Sequence, residues 1–215
     1  MVEPMNNVAP ELSPGSKSAG KMQEELVQLL AVRKGHFKLE SGHHGDLWLD
    51  LELLCVRPEL LRPFVAELAR LLSKHNIDAV CGPLVEGAFV ALMVALEMKV
   101  DFFYASPCAN PKSDGLYPVN YRLPDPVRSR VRHKRVAIVN DVINAGSAVR
   151  GTLADLEACE AQPVSIGALL VLGTSISSFT VGKRIALENV AFLANAFWEP
   201  ATCPLCATGI PLENE

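Results

Sequence analysis

The chain has 215 residues, of which 49% are hydrophobic, and its formal net charge is −4. This length suffices for one α/β domain with a substantial core. Because the balance is acidic and basic residues form no long run, neither nucleic acid nor a membrane is expected as a partner. No apolar stretch has the length of a transmembrane helix, residues 1–20 lack the apolar core of a signal peptide, and a cytoplasmic location is expected.

The amino-terminal third is predicted to contain a tail, one helix and a pair of strands. Residues 1–20 are rich in Pro, Ser, Asn and Gly without periodicity, so a disordered tail is expected. A helix is predicted from Lys21 to Val32, ending at Lys34-Gly35, because apolar residues recur at helical spacing: Met22, Leu26, Leu29 and Leu30. Apolar alternation around a polar turn then predicts two short strands within residues 36–54.

From Pro58 onward, helical and strand patterns alternate. The pattern predicts a helix opening at Pro58 and, further along, the strands IDAVCGP, VDFFYAS, KRVAIVND, QPVSIGALLVLG and RIALENVAFLANA, with helices in VEGAFVALMVALEMK and AGSAVRGTLADLEACEA. This alternation favours a Rossmann-like, mostly parallel sheet with helices on both faces. Residues 105–130 are rich in proline, and they predict a long flexible loop or a weak hairpin that could act as a lid.

The stretch VAIVNDVINAGSAV, residues 136–149, is typical of a phosphate site. Val136–Val139 form an apolar strand, and Asn140 and Asp141 follow at its carboxyl end, where ligands of parallel sheets lie. The small residues 144–148 lead into a helix whose amides and dipole favour an anion. The side-chain oxygens just upstream suit the hydroxyls of a phosphorylated ribose. The alternative is an ordinary strand, turn and helix in which Asn and Asp only cap and turn.

This stretch resembles the phosphoribosyl pyrophosphate (PRPP) motif of the type I phosphoribosyltransferases. FKLESGHHGDLWLD is similar to the amino-terminal hood strands of orotate phosphoribosyltransferase, and DAVCGPLVEGAFVALMVALE to its pyrophosphate-loop strand and helix. The resemblance spans residues 22–173. It implies the type I phosphoribosyltransferase fold over residues 21–198, with a hood from 36–54 and the flexible loop at 105–130, followed by a carboxyl-terminal tail at 199–215. It also implies a homodimer.

The resemblance further implies which residues would bind PRPP. Asn140 and Asp141 would hold the ribose, Asp141 and Lys112 would be catalytic, and two loops would hold the phosphates: Asn144, Ala145, Gly146, Ser147 and Ala148 for the 5-phosphate, and Leu84, Val85, Glu86 and Gly87 for pyrophosphate. Mg²⁺ would bridge pyrophosphate and ribose oxygens. Trp48 and Glu40 would line the pocket of the base.

Several residues differ from the family pattern. Asn140 replaces the first acidic residue of the motif, Glu86 replaces a common lysine, and Lys112 is the only basic residue in ASPCANPKSDG. Glu40 stands where a lysine would meet orotate, so orotate itself is not expected as the substrate. Two hypotheses follow: Mg²⁺-assisted transfer of phosphoribosyl from PRPP to another small base in nucleotide metabolism, or a catalytically impaired module that binds PRPP or a nucleotide.

Two further motifs remain open. Cys203-Pro-Leu-Cys206 has the spacing of half a zinc site, but no second CxxC or HxxxH is present, so a turn in the tail is preferred over zinc. A metal site shared across a dimer is the alternative. His43 and His44 are adjacent in an extended segment, so at most one of them can face a ligand.

Overall fold

The computed structural model describes residues 17–109 and 115–213. Most of the predicted tail and Lys112 of the predicted flexible loop therefore lie outside the described residues. Within the described part, no helix has both the length and the apolar character needed to cross a membrane.

Helices and strands alternate along most of the chain. The helices are α1 (Lys17–Leu29), α2 (Glu52–Cys55), α3 (Pro58–Leu72), α4 (Glu86–Met98), α5 (Asp125–Val131), α6 (Ser147–Ala158), α7 (Ser175–Lys183) and α8 (Pro204–Ala207). The strands are β1 (Ala31–Lys38), β2 (His44–Asp50), β3 (Ala79–Pro83), β4 (Asp101–Ala109), β5 (Val119–Arg122), β6 (Arg135–Ile143), β7 (Gln162–Leu172), β8 (Ala186–Leu193) and β9 (Phe197–Trp198).

The central sheet has six strands in the order β5-β4-β3-β6-β7-β8. All neighbouring pairs are parallel except β4 and β5, which form an antiparallel hairpin. The chain leaves β3 towards β4 on one side and leaves β6 towards β7 on the other. The order in which strands are added to the sheet therefore reverses between β3 and β6. Open α/β sheets bind ligands at such a switch point.

Two apolar layers cover the two faces of the sheet, and side chains of β6 belong to both layers. Ala137 and Val139 pack into the layer formed with α1, α3 and α4, whereas Val136 and Ile138 pack into the layer with α6 and α7. Side chains of a strand alternate between faces, so a continuous apolar run serves both layers. The predicted mostly parallel sheet with helices on both faces is confirmed.

A separate antiparallel sheet, β1-β2-β9, forms the hood. The hood is wider than the predicted residues 36–54, because β1 begins at Ala31 and pairs with Asp50 of β2. Its third strand, β9, comes from the carboxyl-terminal end and pairs with His44 and Gly45. Residues 199–213 continue from β9 with a 3₁₀ turn and α8. This segment contacts the hood and is not a detached tail.

Some predicted boundaries were wrong. The first helix ends at Leu29 and not at Val32, because the next residues take up hydrogen bonds with β2. Its start at Lys17 places residues 17–20, which were predicted as part of the disordered tail, in a helix. The region predicted as a long loop or a weak hairpin contains α5, and its strand β5 forms an antiparallel hairpin with β4, as the second alternative predicted. Helix α7 was missed because its serine-rich sequence resembles a loop.

Gly82 fixes how closely α4 approaches the end of β3. A Cβ atom there would lie 2.7 Å from Ala88 Cα and 2.8 Å from the Gly87 carbonyl oxygen, both backbone atoms. We expect Gly82→Ala to lower the free energy of unfolding by about 1–3 kcal/mol through overpacking. Urea denaturation measures this loss.

The matched control is Gly182→Ala. Gly182 lies within α7, and a methyl group added there would have no atom within 4 Å. Because alanine favours helix over glycine by about 1 kcal/mol, this variant should be as stable as the parent or more so. Equal effects at the two glycines would contradict the proposed close contact.

Candidate functional site

A cavity of about 220 Å³ opens where β3 and β6 separate at their carboxyl ends. Pairing between the two strands stops at Cys81 and Ile138, whereas β6 continues to pair with β7 as far as Ile143. The last residues of β6 therefore have no strand on the β3 side. The hood, the loop between β3 and α4, and the loop between β6 and α6 line the cavity.

The loop before α6 has the geometry of an anion site. Gly146 adopts φ +82°, and α6 starts at the next residue without a side-chain cap. The first amides of a helix lack partners within the helix, and together with the dipole they attract an anion. Ser147 lines the cavity, and its buried hydroxyl has no hydrogen-bond partner among the described residues. Residues 144–148 all line the cavity, as the prediction requires of a phosphate loop.

Arg150 lies beside this loop and was missed by the sequence analysis. Its Nε donates a hydrogen bond of 3.4 Å to the Ala145 carbonyl, and its guanidinium lies 4.1 Å from the ring centre of Phe179 and 5.0 Å from that of Tyr117. Stacking on aromatic faces holds the guanidinium in place. The sequence signal that could have identified Arg150 is its position one turn into the helix that follows Gly146.

Asp141 is buried in the same cavity, with 4% of its surface exposed. Its Oδ2 has no hydrogen-bond partner in the part of the chain that the structure describes. Burial raises the pKa of this carboxyl to about 7, and the negative charge of Glu86 adds to the increase. Buried polar atoms normally have hydrogen-bond partners, so an oxygen without one is an exception that needs an explanation. A ligand with hydroxyl donors or a cation would satisfy it.

Asn140 is fixed by two contacts that explain its identity. Its Nδ2 donates a hydrogen bond of 2.8 Å to the Val142 carbonyl, which an aspartate could not do. Its Oδ1 lies against Gly87, where any Cβ atom would overlap it. Asn140 therefore joins the end of β6 to the first turn of α4. Its contact with ribose stays a prediction.

The predicted pyrophosphate loop lines the cavity along its whole length: Leu84, Val85, Glu86 and Gly87. Glu86 is the first residue of α4, where the helix dipole favours a carboxylate. Two carboxylates, Glu86 and Asp141, thus border one small cavity. Their hard oxygen atoms are the ligands that Mg²⁺ prefers, so the residues present fit this ion.

Glu40, Trp48 and Tyr121 line the hood side of the cavity. The Tyr121 hydroxyl donates a hydrogen bond of 2.8 Å to Glu40 Oε2. Burial, and then the negative charge of Glu40, raise the pKa of Tyr121 above its usual range, so the phenol keeps its proton. Trp48 also packs against Phe37, with ring centres 5.7 Å apart. Tyr121 had no predicted role in the base pocket.

The two adjacent histidines point to different surroundings. His43 Nδ1 lies 3.0 Å from Ser41 Oγ, and its ring contacts Tyr117 and Phe197. Burial lowers the pKa of His43, Glu199 opposes this effect, and Arg150 lowers the pKa further. His44 faces His36 and Cys206 instead. Neither histidine lines the cavity.

Comparisons with known proteins agree with this architecture. No family model matches the chain. The chain is 27% identical over 192 residues to the orotate phosphoribosyltransferase of Caldanaerobacter subterraneus subsp. tengcongensis, and the match covers 89% of this chain and 94% of that protein.

Two solved structures share the fold. They are orotate phosphoribosyltransferase from Aeropyrum pernix (TM-score 0.60, 19% identity, 81% and 93% coverage of this chain and of that one) and adenine phosphoribosyltransferase from Thermoanaerobacter pseudethanolicus (TM-score 0.61, 17% identity, 79% and 99%). The predicted type I fold, the predicted resemblance to orotate phosphoribosyltransferase and the predicted class of enzyme are confirmed.

The raised pKa of Asp141 makes stability depend on pH. The folded chain holds this proton up to a pH of about 7, whereas the ordinary value is 3.8, so the contribution of Asp141 to stability falls as the pH rises between these values. We expect Asp141→Asn to gain stability relative to the parent as the pH rises from about 5 to about 8. Urea denaturation without divalent cations measures the difference.

The control is Asp125→Asn, since Asp125 is exposed and pairs only with Arg122 among the described residues. Its stability should run parallel to that of the parent over the same range. Parallel curves for Asp141→Asn would show that this carboxyl titrates normally.

Proposed function

We propose that this chain, an enzyme of the phosphoribosyltransferase class with the type I fold, transfers the phosphoribosyl group of PRPP to a small nitrogenous base with the assistance of Mg²⁺. The observation that carries the proposal is one cavity lined by Asp141, by Ser147 and by the other residues at the start of α6, in which Asp141 Oδ2 and Ser147 Oγ are buried without hydrogen-bond partners among the described residues. The name of the curated relative, orotate phosphoribosyltransferase, supports the same chemistry.

The three parts of PRPP match three sides of the cavity. The 5-phosphate would lie on the amides of residues 146–148 with Ser147 donating its hydroxyl, and the cation of Arg150 would add attraction from beside the loop. The ribose hydroxyls would donate to Asp141. Pyrophosphate would lie along residues 84–87. Occupation by this ligand gives partners to the buried groups that otherwise lack them.

Glu86 and Asp141 would hold Mg²⁺ with the phosphate and sugar oxygens of the substrate. The ion supplies positive charge that offsets the repulsion between Glu86 and pyrophosphate and stabilises the leaving group. Without a cation, the two carboxylates and the pyrophosphate would repel one another across a small cavity.

In the reaction, a ring nitrogen of the base forms a bond to the anomeric carbon of ribose, and the bond from that carbon to the pyrophosphate oxygen breaks. Pyrophosphate leaves with the electron pair, and the base loses the proton from its nitrogen. Positive charge develops on the ribose ring, near the Asp141 carboxylate. The chain contributes by fixing the sugar between the α6 amides and the hood.

The hood side of the cavity favours a neutral base over orotate. Glu40 carries a negative charge there and accepts a hydrogen bond from Tyr121, so it would repel the carboxylate of orotate. It can accept hydrogen bonds from N–H groups of a base, and Trp48 offers an apolar face for stacking. The homodimer implied by the resemblance and the cytoplasmic location expected from the sequence remain predictions.

A binding module without turnover is the second candidate. It is favoured by Asn140, whose amide is tied to Val142 and carries no negative charge near the sugar. Glu86 in the pyrophosphate loop supports it as well. Such a module would bind PRPP or a nucleotide and release no pyrophosphate.

Pyrophosphate release separates these candidates. Purified protein with PRPP, Mg²⁺ and a panel of purine and pyrimidine bases should release pyrophosphate with at least one base. Asp141→Asn should lower kcat/KM by about tenfold or more, because a charge-assisted hydrogen bond becomes a neutral one. Asp125→Asn, the exposed control, should match the parent. Binding of PRPP in calorimetry with no turnover would favour the module, and absence of both would overturn the proposal.

The choice of base can be tested at Glu40. For the parent we expect a higher kcat/KM with uracil, cytosine or a purine base than with orotate. Glu40→Gln should raise the ratio of kcat/KM for orotate to that for the best neutral base by about tenfold, because it removes one negative charge. Tyr121→Phe, which keeps that charge, should not raise the ratio. Efficient use of orotate by the parent would refute this assignment.

A further inference from the structure

Four potential metal ligands meet where the hood contacts the carboxyl-terminal segment. They are His36 of β1, His44 of β2, and Cys203 and Cys206 at the two ends of the first turn of α8. Their ligand atoms all lie within 4.8 Å of one another. The sequence analysis found only the cysteine half of this cluster, because the histidines lie far earlier in the chain.

We propose that these four residues bind one Zn²⁺ ion in a closed structural site. Two cysteines and two histidines around one point are the donor set of structural zinc sites, which are tetrahedral and need no water ligand. The inference does not depend on the proposed function, since none of the four residues lines the PRPP cavity.

Four of the six distances between the ligand atoms are close to those around a tetrahedral ion. His36 Nε2 lies 3.0 Å from His44 Nδ1, 3.4 Å from Cys203 Sγ and 3.7 Å from Cys206 Sγ, and His44 Nδ1 lies 3.2 Å from Cys206 Sγ. Zinc bonds of about 2.0–2.1 Å to nitrogen and about 2.3 Å to sulfur give tetrahedral edges of about 3.3–3.8 Å. A small adjustment of side chains therefore suffices.

Hydrogen bonds alone cannot account for every close contact in the cluster. His36 Nδ1 lies 2.7 Å from the Ile210 carbonyl, and because a carbonyl only accepts, Nδ1 carries the proton. In the neutral ring, Nε2 then has one lone pair, yet three polar atoms surround it. One metal ion would use that lone pair together with the other three ligands. A second ring nitrogen held by a carbonyl is also the usual support of a metal-bound histidine.

The cluster is built into the fold and is not a chance meeting of surface groups. His36, His44 and Cys203 are 1%, 6% and 2% exposed. The strand register shifts between Lys34 and Phe37, so His36 lies in an irregularity that can re-aim its side chain. The carboxyl-terminal segment is held around it, since Glu213 N donates a hydrogen bond of 2.7 Å to the His36 carbonyl. Zinc would thus join this segment to both hood strands.

The zinc content of the full chain tests the proposal. Protein purified without a metal-affinity tag, or reconstituted with Zn²⁺ under reducing conditions, should keep about one zinc per chain after gel filtration, as measured by elemental mass spectrometry. Cys203→Ser, Cys206→Ser and His44→Ala should each lose most of it. Matched controls, Cys108→Ser and His133→Asn, should keep it, because neither replaced residue belongs to the cluster and both are exposed.

A second measurement covers variants that fail to fold. Parent protein stripped of metal should bind one Co²⁺ per chain (about 1:1) with the visible bands of tetrahedral cobalt and thiolate-to-cobalt charge transfer, and Zn²⁺ should displace both signals. A parent chain that keeps no zinc and gives no tetrahedral cobalt spectrum would overturn the proposal. So would a Cys203–Cys206 disulfide that persists in reductant.

Discussion

The site depends on a buried carboxyl group whose Oδ2 has no hydrogen-bond partner among the described residues. Asp141 lies where β3 no longer covers β6, beside the first turn of α6. Its position follows from the strand order. The chain continues from β3 and from β6 to opposite sides of the sheet, and this leaves a crevice between the ends of the two strands. The cost of burying this group in its charged form is offset when a ligand or cation occupies the crevice. The buried Ser147 hydroxyl, a few residues further along the chain, also lacks a hydrogen-bond partner among the described residues, and a ligand could supply one.

The hood closes this crevice from above, and it is assembled from both ends of the chain. Glu40, in the turn after β1, and Trp48, in β2, line the cavity, while β9 pairs with the start of β2. A zinc ion at the four-ligand cluster would fix this arrangement without touching the substrate. The chain would then use one ion for catalysis and another for the shape of the pocket, with ligands suited to each: oxygen atoms for Mg²⁺, and sulfur and nitrogen atoms for Zn²⁺.

Local patterns in the sequence were sufficient to predict the elements that form the crevice. The apolar run before Asn140, the small residues up to Ala148 and the helix after Pro83 follow from periodicity and turn chemistry. The boundary at Leu29 could not be predicted, because the pairing of Ala31 with Asp50 determines it. The association of Cys206 with His44 depends in the same way on the folded hood. The position of Arg150 could not be predicted either, because it lies against the rings of Tyr117 and Phe179, which are distant from it in the sequence.

Departures from the family pattern also acquire physical reasons in the folded chain. Asn140 donates to the Val142 carbonyl and lies against Gly87, so its amide has a structural task that a carboxylate could not perform. Glu40 accepts a hydrogen bond from Tyr121, which fixes its carboxylate at the hood side of the cavity. These residues change the charge of the cavity without closing it, since all of them still line it.

The central claim is that the amides before and within the first turn of α6 bind the phosphate of a ribose ester next to Asp141. Amide NMR spectra of isotope-labelled protein titrated with ribose 5-phosphate test it most directly. The account predicts that the largest chemical-shift changes fall on residues 144–149 and on Asp141, and that inorganic sulfate competes for the loop. Spectra that do not change at these positions, or that change only at other surfaces, would contradict it.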